Sequence, residues 1–156
     1  MTAHGLYKIV TSINTDQICT DSVDQVLNEI RSYNLQQMLD GETNTGAFIS
    51  PKYVDDPFFK TREAAEAYSR WKDRISPPST RPSGVPNYYI NGFFHQSIKV
   101  VRTGDYIVTD SEWTTGKNIL REKPELAGLN NYFKTLLVDH VLRPTFNQKM
   151  TAALKG

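Results

Sequence analysis

A single cysteine, Cys19, stands in a chain of 156 residues. That excludes an intrachain disulfide and any cysteine-built metal site, and it suits a reducing cytoplasm or a particle assembled there. Neither sign of charge is in excess: 18 Lys and Arg face 17 Asp and Glu, for a net charge of +1. Such a balance exerts no long-range pull on nucleic acid or anionic membrane, so neither is expected as the main partner. Long apolar runs are missing too, and none approaches the ~20 residues needed to cross a bilayer. The opening residues MTAHGLYKIV lack the basic-then-apolar pattern of a secretion signal. The chain therefore reads as soluble. Its three histidines, His4, His95 and His140, show no HxH, HxxxH or HxxE spacing, and no metal or cofactor is expected.

What is present is an ordinary globular composition, 38% hydrophobic, 22% charged and 11% aromatic. The length suits one domain, 1–156, which can bury about 70% of the surface its unfolded chain exposes. Leu6, Ile9, Val10 and Ile13 repeat at helical spacing, though Leu6–Thr11 would also serve as a strand. Val23, Val26, Leu27 and Ile30 form a clear helical stripe. Asp21 or Ser22 would cap that helix, and Asp40-Gly41 would stop it. Residues 40–57 read as a loop with a short extended piece at Ala47–Ile49. The next helix has Thr61 as cap, Glu63 against the N-terminal dipole, and Ala64, Tyr68, Trp71 and Ile75 as its inward face. Pro77 and Pro78 end it, and 75–86 reads as an exposed extended connector.

A hairpin over about 96–109 follows, with Ile98, Val100 and Val101 on one strand, Thr103-Gly104 at the turn, and Tyr106, Ile107 and Val108 returning. The last element is a helical region from about 130 to 154, carried by Leu129, Phe133, Leu136, Leu137 and Val141. Pro144 is expected to kink or split it. Helices, then a small antiparallel sheet, then a long helical region make an α+β domain.

His95 is the first candidate for chemistry, because a histidine among Tyr88, Tyr89, Phe93 and Phe94 suggests a pocket. A general base needs an orienting partner and a nucleophile in reach. Ser97 is close in sequence but belongs to no recognisable nucleophile turn, so the packed reading of His95 is preferred. Asp105, Asp110 and Glu112 superficially resemble the strand acids of metal-dependent nucleases. Thr114 stands where that pattern needs lysine. The segment TGK at 115–117 lacks the first glycine of a phosphate loop. The aromatic residues have a plainer use. Phe93 and Phe94 would point to opposite sides of an extended segment, leaving one of them outside. Apolar surface left outside a small monomer marks association, so Phe93, Phe94 and Trp113 are the candidates for subunit contact.

Four segments in order carry a family likeness: YNLQQMLDGETNTGAFISPKY (33–53), TREAAEAYSRWK (61–72), VPNYYINGFFHQSIKV (85–100) and AGLNNYFKTLLVDHVLRPTFNQKM (127–150). Together they resemble tailed-bacteriophage virion structural proteins of the neck and tail-completion class. Tyr89, Gly92, Phe94, Ser97 and Ile98 fall on that class's lead-in to a hairpin, and Gly128 and Leu129 on the start of its C-terminal helix. Asn91 stands where threonine is usual. The likeness covers roughly 33–150 and implies a non-enzymatic protein of a ring between capsid and tail. Its partners would be connector, tail-tube or tail-sheath components and other copies of itself. It carries over no catalytic or metal-binding residue. Loops 40–57 and 75–86 would order on docking. The alternatives from other classes are a small hydrolase or nuclease using His95 with nearby acids, and a phage-encoded inhibitor of a host enzyme.

Overall fold

The computed structural model describes residues 13–113 and 118–155; the apolar positions Leu6, Ile9 and Val10 and the segment 115–117 lie outside the described residues. Helix α1 is Thr15–Gln25 and α2 is Leu27–Leu39. The first helix thus starts well before the expected cap. Asn14 supplies the cap, its side-chain oxygen accepting from the Gln17 N–H at 3.0 Å. Ser22 is instead buried inside α1, where its hydroxyl donates to the Ile18 carbonyl at 2.6 Å. The apolar stripe expected of one helix is divided at Val26, whose N–H turns back to the Val23 carbonyl.

Helix α3, Arg62–Ile75, begins at Thr61 as expected, with the Thr61 hydroxyl accepting from the Ala64 N–H at 3.2 Å. Its buried face is not the expected one. Ala65, Ser69 and Lys72 are buried, Tyr68, Trp71 and Ile75 are half-buried, and Ala64 is exposed. The reason is the connector that follows. Gly84, at a left-handed φ of +84°, crosses close over Ser69, and Val85 is fully buried. Small side chains on α3 permit that approach. Arg81 fastens the connector: it donates to the Val85 carbonyl and to Asp73 of α3, both at 2.5 Å, and its own side chain is buried.

Loop 40–57 is also tied down. The Ile49 N–H bonds the Gly41 carbonyl at 2.7 Å, the Tyr53 N–H bonds the Gly84 carbonyl at 2.9 Å, and Glu42 bridges Phe48. Both loops are tied to the body of the fold by these bonds.

Phe93–Ser97 forms the short helix α4, which corrects the extended reading of that segment. Asn91 and Gly92 cause it: Asn91 accepts from the Phe93 N–H at 3.2 Å, and Gly92 takes a φ of +82° that a side chain would resist. Strands β1, Ile98–Thr103, and β2, Tyr106–Ser111, pair antiparallel with Val101 opposite Val108 and Thr103 opposite Tyr106. After α5, Ile119–Glu122, and a 3₁₀ turn at Pro124–Leu126, the chain enters α6, Asn131–Leu137, and α7, Arg143–Lys155. A π-helical turn, Val138–Leu142, joins these two, with the Arg143 N–H reaching back to the Val138 carbonyl. The deformation lies in the turn before Pro144, whose ring has no N–H to give and crowds the preceding turn. The architecture is α+β.

Helix α2 serves two apolar clusters. Its second half places Met38 with Ile49, Val85, Phe94, Ile98 and Leu126; its first half places Ile30 with Val26, Leu129, Phe133 and Leu137. Between them, fully buried Asn34 and Gln37 bind the backbone at 126–130. Asn34 donates to the Leu126 and Gly128 carbonyls at 2.9 and 2.8 Å. Gln37 donates to Gly128 at 3.1 Å and accepts from the Asn130 N–H at 2.7 Å. Asn130 in turn caps α6 by accepting from the Phe133 N–H. Two side-chain amides therefore fix where the C-terminal helix starts. Gln37→Leu orphans a buried N–H and leaves Gly128 with one donor fewer. It is expected to cost about 2 kcal/mol in a urea unfolding titration.

Candidate assembly surface

The strand pair lies with one face on the helices and the other outward. On the inner face, Ile98 is in the core and Val100 packs against the cluster around Ile30. Arg31 of α2 donates to the Ile98 carbonyl at 2.6 Å. Arg102 grips the Asp24 carboxylate of α1 with two bonds, 2.6 and 3.1 Å, which hold that carboxyl below its usual range.

The outer face holds Lys99 opposite Asp110, Val101 opposite Val108, and Thr103 opposite Tyr106. Lys99 is spent on an ion pair with Glu112. Beyond it, Val101 is 46% exposed, Val108 41% and Tyr106 75%. Val101, Val108 and Tyr106 thus form an exposed apolar strip. Among the described residues the sheet has two strands and no third pairs with either edge, though Arg31 takes up the Ile98 carbonyl of β1. Such a ribbon is marginal alone and is a ready template for another element. A second apolar surface lies at the helices, a groove of about 410 Å³ lined by Val23 of α1 and Leu142 and Phe146 of the C-terminal region.

The three residues singled out from the sequence are not brought together. Phe94 is buried at 5% exposure within the core, so it cannot meet another subunit, which corrects the expectation for it. Trp113 is half-buried against that same cluster. Phe93 alone of the three stands outward, at 57% exposure. The strip on the ribbon was missed as a site. The consecutive Tyr106, Ile107 and Val108 were its signal, since alternate residues of a strand cannot all face one core.

His95 is buried, and both of its ring nitrogens lack a hydrogen-bond partner. Its ring lies 5.5 Å, centre to centre, from each of Tyr89 and Phe94. Burial, and then the charge of Lys72, push its pKa down to about 4, so the ring is neutral at pH 7. The Ser97 hydroxyl donates within α4 and meets Ser111 at 2.7 Å, away from any base. Asp110 binds the Ser111 N–H and Glu112 pairs with Lys99. Neither acid orients His95. Among the described residues, no group of three or more His, Cys, Asp or Glu is placed to hold a metal ion, and no helix is long and apolar enough to cross a membrane.

No family model, no curated protein and no solved structure matches the chain.

Proposed function

We propose that the chain is a structural protein of a tailed-phage virion, acting at the head–tail connection in a neck, tail-completion or tail-terminator role. It works by ring assembly and docking to other virion proteins and carries out no turnover. The observation that carries this reading is the outward face of the ribbon, where Val101, Val108 and Tyr106 are exposed on a sheet that has two strands among the described residues. A monomeric enzyme gains nothing from that surface, whereas a subunit repeated around a ring buries it against its neighbours. The likeness of segments 33–53, 85–100 and 127–150 to the neck and tail-completion class points the same way. The hydrolase alternative is weakened by His95, which is inaccessible and has no acid to orient it.

The reading is tested by quantitative mass spectrometry of purified particles from the source lysate. A copy number of about one ring per particle is expected, as closed cyclic symmetry requires. Hundreds of copies would instead make the chain a shell or tube subunit. Absence from the particle would end the structural reading.

A further inference from the structure

A cavity of about 260 Å³ opens between α3, the 3₁₀ turn Tyr53–Asp55 and the segment around Tyr88. Lys72 lines it, yet the Lys72 side chain is only 1% exposed. Among the described residues, no carboxylate pairs with its amine and no hydrogen bond holds it. The charge that acts on it is that of Arg81, whose own acid, Asp73, is already engaged. A buried ammonium beside a buried guanidinium is an uncompensated positive site, and that is costly unless something anionic meets it.

The other walls carry three tyrosines, with Asp56 and Lys123 at the lining as well; Asp56 accepts from the Phe58 N–H, and Lys123 donates to the Ser50 carbonyl and pairs with Glu125. Tyr53, Tyr68 and Tyr88 line the cavity, with the Tyr53 and Tyr68 rings 5.0 Å apart and nearly perpendicular. Burial raises all three phenols, Tyr88 to about 12 with help from Glu125, Asp56 and Glu122. Each therefore keeps its proton and can donate. None of these hydroxyls donates to a protein acceptor among the described residues. The cavity thus combines surplus donors with apolar ring faces. Tyr88 holds a left-handed φ of +54°, unusual for a residue with a side chain, and that conformation sets its ring at the wall.

We infer that this cavity is a binding site for a small monocarboxylate with an apolar body, its carboxylate meeting Lys72 and the tyrosine hydroxyls and its body lying against the tyrosine rings. A carboxylate only accepts, which matches the Lys72 amine and the tyrosine hydroxyls. Lys123 is already engaged by the Ser50 carbonyl and Glu125, so the one uncommitted ammonium, Lys72, favours a monoanion, and the carboxylates Asp56, Glu122 and Glu125 near Tyr88 oppose a more highly charged ligand such as phosphate. The volume lies just below that of pockets for drug-sized ligands, which admits a benzoate-sized molecule. The same chemistry is offered by the side-chain carboxylate of a protein, and the two sources are separated by the probes below. The inference does not depend on the virion reading.

The test is calorimetric titration of the full chain with benzoate and, in parallel, with acetyl-glutamate amide. Saturable binding of at least one is expected at pH 7. Preference for benzoate identifies a free small carboxylate, and preference for the blocked glutamate identifies a protein side chain. Lys72 is drawn down to about 8 by burial and then by Arg81. Affinity should therefore hold below pH 8 and fall about tenfold per pH unit above it. Arg81, Asp56 and Lys123 also face this region; from pH 6 to 9 His95 stays neutral and the three phenols stay protonated. Lys72→Met is expected to abolish binding while melting no lower than the parent, because it removes an unpaired buried charge. Tyr68→Phe, at a half-buried position, is expected to weaken binding severalfold with the fold kept. Failure of both probes to bind, unchanged affinity in Lys72→Met, or a flat profile from pH 7 to 10 would each overturn the inference.

Discussion

Acidification from pH 7 to pH 4 is expected to remove about 3 kcal/mol of stability through His95 alone. The folded ring takes a proton only near pH 4, against 6.5 for a free imidazole. The unfolded chain therefore binds more protons across that window, and stability rises with pH inside it. The His95 contribution is complete above about pH 6.5 and is lost as pH falls toward 4. The cause is structural: the imidazole is buried between Tyr89 and Phe94 near Lys72, and the Asn87 backbone beside it offsets only part of that burial. Other groups also titrate here, including Asp24 against Arg102, so the total slope does not isolate the histidine. His95→Leu does. Neither ring nitrogen has a well-formed hydrogen bond and the Asn87 backbone is a minor influence, so an apolar side chain of similar volume should cost less than about 1.5 kcal/mol at pH 7. Urea unfolding of both proteins at pH 7 and pH 4 is the measurement. The parent should lose about 3 kcal/mol more than His95→Leu between the two conditions. Equal losses would mean that the folded ring accepts its proton freely, and the buried, unpartnered placement would be wrong.

Local rules written in few residues were legible in the sequence. Thr61 as a helix cap needed only its neighbours, and the hairpin turn was placed to within one residue: Thr103 pairs with Tyr106, so Gly104-Asp105 makes the turn expected at Thr103-Gly104. The same kind of signal existed at Asn14 and at Asn91-Gly92 but was overridden by pattern: the stripe from Val23 drew the helix start to Ser22, and the aromatic run drew Phe93–Ser97 into a strand. What was not legible depended on distant partners. The face of α3 could not be found from its apolar residues, because Lys72 and Ser69 are buried by a connector whose path is set by Gly84 and Arg81. Asn34 and Gln37 look like surface polar residues until the carbonyls of 126–128 arrive beside them. The candidate site divides the same way. That one of Phe93 and Phe94 faces outward follows from their adjacency, but which one depends on the packing of α4.

Recharging the ribbon should separate folding from assembly. Val101→Lys with Val108→Glu, joined by Tyr106→Ser, replaces the outward apolar strip while leaving the inner face untouched. Val101 and Val108 are directly opposite, so the new charges form a cross-strand pair of opposite sign that supports the hairpin. All three positions are substantially exposed, and the inner residues Ile98, Val100 and Arg102 keep their contacts with the helices. The unfolding midpoint of the isolated chain is therefore expected to stay close to that of the parent. Incorporation into particles should fall about a hundredfold, the effect of losing two central contacts of roughly 1.4 kcal/mol each. Phe93→Ser, at a separate exposed position on α4, is the control for surface polarity as such. If it alone blocks incorporation and the ribbon variant does not, the contact lies on α4. If the ribbon variant unfolds, the strip belongs to the stability of the monomer. Normal incorporation of both variants would remove the apolar surface as the basis of assembly, since a subunit that docks through the ribbon cannot tolerate two charges where it buries two valines.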